Sequence, residues 1–106
     1  MTQVEFLQKM QELKAQMHEN KKNYDERLLS LAKHNKQLVD EENESWNGQK
    51  QEHREILEDL ANRYHEKVQD AKNAYHDAQH SIDMEMADLK IAYVTEHPDD
   101  NPNKVF

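Results

Sequence analysis

The chain has 106 residues, 34% of them charged and 35% hydrophobic, with 14 basic against 22 acidic side chains and a net charge of -8. One glycine and two prolines are too few for the turns of a β-sandwich or barrel, and one glycine cannot write a phosphate-cradling loop. No cysteine is present, so disulfides, thiolate metal sites and thiol nucleophiles are excluded, and the mean hydropathy of -1.27 leaves room only for a thin core.

These limits predict an all-α chain. The first helix opens on Thr2-Gln3-Val4-Glu5, the form of a capping box, in which Thr and Glu satisfy free amides at a helix start. Apolar residues follow at Phe6, Met10, Leu13, Met17, Tyr24, Leu28, Leu31 and Leu38. Met10, Met17, Tyr24, Leu31 and Leu38 recur every seventh residue, one face of a helix held for about four heptads. Asn20, Lys21 and Arg27 interrupt that stripe.

From Asp40 to Glu55 the pattern stops, and Trp46 is the only large apolar residue before Glu55. Asn47-Gly48 is a turn signal, and glycine commonly follows a helix end. The expected arrangement is a helix over 2–44, a reversal at 45–49 and a helix over 50–97. The competing arrangement is one continuous helix, since a helical glycine costs only about 1 kcal/mol against alanine.

The second half carries Leu57, Leu60, Tyr64, Val68, Ala71, Tyr75, Ala78, Ile82, Met86, Leu89 and Tyr93. Their mean spacing is about 3.6, the period of a straight α-helix. Met84, Met86, Ile91 and Val94 widen the stripe near its end, as an oligomer core or as a docking surface, since methionine adapts to varied partners. Pro98 biases His97 out of the helix. Residues 98–106 are expected to form a flexible polar tail ending in the apolar pair Val105-Phe106, a chemistry that a groove could capture.

The predicted fold is therefore two long helices in an antiparallel hairpin. Such a pair has one contact face per helix, so it is expected to complete its core as a coiled coil or four-helix bundle on self-association, or on another protein's helices. The residues expected to carry these contacts are Met10, Met17, Leu31, Leu38, Trp46, Leu57, Leu60, Tyr64, Val68, Tyr75, Ile82, Leu89, Val105 and Phe106. The expected function is non-enzymatic: a structural or adaptor component, cytoplasmic or within a protein assembly.

The acidic balance disfavours nucleic-acid partners. No stretch is apolar enough to span a membrane, and the first residues lack the basic and apolar blocks of a signal peptide. The carboxylates form no Glu-x-x-His pair of the di-iron kind, and the serines sit in no nucleophile elbow. No cofactor is expected. His76 and His80 have the i, i+4 spacing by which one helix face holds Zn²⁺, and a fold about residue 47 would bring His18 opposite His76. This leaves metal binding through His76, His80 and His18 as a third functional possibility.

Trp46-Asn47-Gly48 is a W-x-G triplet at the expected reversal, formed by the only Trp and the only Gly of the chain. In this the chain resembles the WXG100 (ESAT-6-like) family. The resemblance implies a helical hairpin with W-x-G at the turn, a four-helix-bundle dimer and export by type VII secretion without a cleaved signal. The chain departs from that family in the polar run Gln49 to Arg54 after the triplet. It departs also at Tyr93-Val94-Thr95-Glu96, one residue short of the family's Tyr-x-x-x-Asp/Glu.

Overall fold

The computed structural model describes residues 1–98, and Val105, Phe106 and the rest of the expected tail after Pro98 lie outside them. Two helices, α1 (Gln3–Ser45) and α2 (Lys50–Glu96), make up 43 and 47 of those residues, and no strand occurs among them. They pack against each other as an antiparallel, all-α hairpin.

The helix ends follow from local chemistry. Thr2 stands just outside α1, and its Oγ1 accepts the Glu5 amide at 3.1 Å, so it is the cap rather than the first helical residue. The Phe6 amide donates to the Thr2 carbonyl at 3.0 Å and closes the first turn. α1 stops at Ser45. Asn47 Oδ1 accepts the Gln49 amide at 3.4 Å, and Gly48 takes φ +94°, a backbone that side-chain-bearing residues avoid. At the far end the His97 amide donates to the Tyr93 carbonyl at 2.9 Å, one residue past α2. On the solvent side i, i+4 partners such as Lys36–Asp40 at 2.7 Å and Arg63–Asp59 at 2.9 Å brace the turns. The Asp40 hydrogen bond raises the Lys36 pKa above its ordinary value.

The chain forms two compact units, and both helices contribute to each. The sequence pattern shows no such division, because the 3.6-residue stripe runs without a break through the boundary.

The first unit comprises Met1–Lys21 and the chain from His76 onward. Its core is Phe6, Met10, Leu13, Ile82 and Tyr93, all buried, with Met1, Met17, Met86 and Leu89 packed around them. Phe6 and Tyr93 are fully covered, and their rings stack at 4.3 Å between centroids and 17° between planes. Burying each large side chain contributes about 2–3 kcal/mol, and a ring pair adds about 1 kcal/mol. Polar contacts close the same end. The Met1 ammonium pairs with the Glu96 carboxylate, and His97 Nε2 donates to the Met1 carbonyl at 2.7 Å. Hydrogen bonding to that ammonium holds the Glu96 carboxyl below its usual range.

The second unit, Lys22–Tyr75, is packed more thinly. Ala71 is its one fully buried apolar residue. Leu28, Leu31, Leu38, Val39, Leu57, Leu60, Tyr64 and Val68 are half-buried. Tyr24 and Tyr75 stack at 4.6 Å and 17°.

Phe6→Ala is expected to cost about 3 kcal/mol, and Leu31→Ala, at a half-buried site, about 1 kcal/mol. Chemical denaturation followed by circular dichroism measures both, and equal losses would contradict the unequal packing. Gly48→Ala should cost about 1 kcal/mol and Gly48→Asn less. No atom lies within 4 Å of an added Cβ, so the penalty is one of backbone conformation alone.

Candidate interaction surface

The apolar stripe of α2 lies on the helix–helix seam. Every member from Leu57 to Tyr93 is buried or half-buried, and each residue between them faces outward except Gln79 and Lys90, which are half-buried. On α1 the covered positions in the first unit are Phe6, Met10, Leu13 and Met17, with Leu7 and Asn20 half-covered beside them. In the second unit they are Tyr24, Leu28, Leu31, Asn35, Leu38, Val39 and Glu42.

Of the residues expected to make contacts, Met10 and Ile82 are buried in the first unit, and Met17 and Leu89 pack against that core. Leu31, Leu38, Leu57, Leu60, Tyr64, Val68 and Tyr75 line the seam of the second unit, half-exposed. Leu31, Leu38, Leu60 and Tyr64 also line a shallow cleft there, with Asn35 and Arg63 among its polar members. These residues therefore serve the hairpin itself first. Only their uncovered edges remain for a further partner. Val105 and Phe106 fall outside the described residues.

Trp46 behaves differently. It is 43% exposed at the turn, and one face of its ring stacks on His53 at 4.8 Å and 23°. His53 Nδ1 lies 3.0 Å from Glu42 Oε1, and both side chains are 17% exposed. Glu42 and His53 thus take over the seam where apolar residues run out. Apolar periodicity does not reveal them, because a polar pair interrupts the hydrophobic count. Their offset from Leu38 and Leu57, four residues in each helix, is the available signal.

The histidines expected to hold a metal do not form a group placed to bind an ion. In the first unit Phe6 meets Tyr93, residue numbers that add to 99, so His18 is level with Ser81 rather than His76. In the second unit Tyr24 meets Tyr75, again adding to 99, while Glu42 and His53 at the turn add to 95. A fold about residue 47 would give about 94, the register expected from the sequence. The two differ by about five residues, more than the 3.6 of a helical turn, and the expected one rests on the position of the turn alone. The aromatic pairs mark the register adopted. His18, His76 and His80 are exposed, and among the described residues no group of three His, Cys, Asp or Glu is placed to hold a metal ion.

The Glu42–His53 hydrogen bond should be measurable. A double-mutant cycle of Glu42→Ala and His53→Ala is expected to show a coupling of about 1 kcal/mol by chemical denaturation. A coupling near zero would mean that the two side chains act independently.

No protein-family model matches this chain, and neither a curated protein nor a solved structure matches it. The functional reading therefore rests on the geometry of the hairpin.

Proposed function

We propose that this protein is a non-enzymatic structural or adaptor component that works by helix–helix packing and self-associates. The thin packing of the second unit carries the reading: Leu31, Leu38, Leu57 and Leu60 lie on its seam and stay half-exposed.

A two-helix layer covers a seam from one direction only. A second hairpin laid along Leu31, Leu38, Leu57 and Leu60 would complete a four-helix core. Among the described residues no helix is long and apolar enough to cross a membrane. The reading places the protein in the cytoplasm or within a larger assembly.

A second reading, a secreted hairpin dimer of the WXG100 kind, draws support from one observation. Trp46, Asn47 and Gly48 occupy the loop between α1 and α2. Accumulation in culture medium that depends on a type VII secretion ATPase would separate it from the first.

Self-association predicts a solution mass of at least twice 12.7 kDa and a melting temperature that rises with protein concentration. Light scattering and thermal melts over a hundredfold concentration range test this. A mass of one chain with a concentration-independent melt would remove the reading. Leu60→Asp should disperse the oligomer, because an unpaired charge in a closed core costs several kcal/mol.

A further inference from the structure

One side of the seam in the second unit, Lys22–Tyr75, carries two clefts of opposite charge. The cleft over Leu31, Leu38 and Leu60 is bordered by His34, Arg63 and Lys67, and among the described residues no carboxylate lines it. The cleft at the turn is bordered by Glu42, Glu52 and Ile56, and among the described residues no Lys or Arg lines it. Glu52, Ile56, Leu60, Arg63 and Lys67 follow one another at steps of 4, 4, 3 and 4, so they share one side of α2. On α1 the corresponding line runs from His34 to Glu41, seven residues on. Arg63 is paired with Asp59 of its own helix at 2.9 Å. Lys67 and Glu52 are exposed, and neither has an ion-pair partner among the described residues. Farther from the turn this side carries Arg27 and Asp70, one charge of each sign. The side is therefore cationic over the leucine cleft and anionic toward the turn.

A second copy laid on this side has two possible directions. With both turns at one end, α2 of each copy lies over α1 of the other at the same level. Lys67 then faces His34, Glu52 faces Glu41 and Glu42, and like charges oppose the contact. With the turns at opposite ends, each helix lies over its own counterpart running the other way. A two-fold axis near Leu38 and Leu60 then sets Lys67 of each copy against Glu52 of the other, and His34 against Glu41. Ile56, 36% exposed on its own hairpin, comes over the other copy's Tyr64.

We propose that two copies dock through this side with their turns at opposite ends, the acidic turn of each covering the basic leucine cleft of the other. This rests on the self-association proposed above and gives it a direction and a charge code. The apolar cleft supplies the buried area, and the charges select how it is covered.

The test uses the full chain and measures dimer dissociation by sedimentation, with helicity checked by circular dichroism. Lys67→Glu and Glu52→Lys should each weaken self-association about tenfold, because a two-fold contact occurs twice in the dimer. An equimolar mixture of the two variants should recover it, since each restores the other's complement at both contacts. The double variant in one chain should recover it as well. Lys72→Glu and Glu58→Lys, the same charge changes on the other side of the seam, should have little effect. An oligomer that ignores the Lys67 and Glu52 reversals, or a mixture that fails to recover, would overturn this arrangement and leave self-association standing. Tighter association of Lys67→Glu alone would also overturn it, by placing both turns at one end. A wild-type chain that stays monomeric would remove the self-association reading and this one with it.

Discussion

A pair of helices shares a single seam, and each side chain on that seam is covered only by the helix opposite. Most features of this protein follow from that limit. Where two large rings meet, as at Phe6 and Tyr93, the seam closes completely. Where the seam is built from leucines and an asparagine, as between Leu31 and Leu38, the side chains stay half in water. The first unit thus has a small closed core, while the second has a face that two helices cannot bury by themselves. Most of the larger apolar side chains lie on this seam, while Val4, Leu29, Trp46, Ile56, Met84, Ile91 and Val94 stay exposed.

The turn shows a different solution to the same limit. Near the end of α1 the apolar residues give out, and a hydrogen bond between Glu42 and His53 continues the seam in polar form. Trp46 then lies over the His53 ring instead of entering a core. Stacking uses one face of the indole and leaves the other in solvent, so the residue braces the tip and remains available. Gly48 permits the backbone path between the helices, and its surroundings are open, so the constraint at that position is conformational and not steric.

Charge decides what the outer faces can meet. A net charge of -8 disfavours contact with the phosphates of nucleic acid and anionic lipid. Met84, Ile91 and Val94 keep apolar surface exposed on the side of α2 away from the seam.

The sequence by itself determined the helices, their approximate ends and the face each presents. The 3.6-residue stripe from Leu57 to Tyr93 is a local property of the chain, and the Asn-Gly step with a capping Thr2 marks the ends through local hydrogen bonding and backbone preference. The tertiary structure decided the register. A slip of one turn preserves every face, so periodicity is blind to it. In the alignment adopted, Phe6 stacks on Tyr93 and Tyr24 on Tyr75, pairings that depend on both helices at once. That choice puts His18 level with Ser81 instead of His76, and among the described residues no group of three His, Cys, Asp or Glu is placed to hold a metal ion. The Glu42–His53 bond and the division into a closed and a half-open unit belong to the same level. They depend on which side chains lie opposite one another, and a single helix carries no record of its partner's alignment.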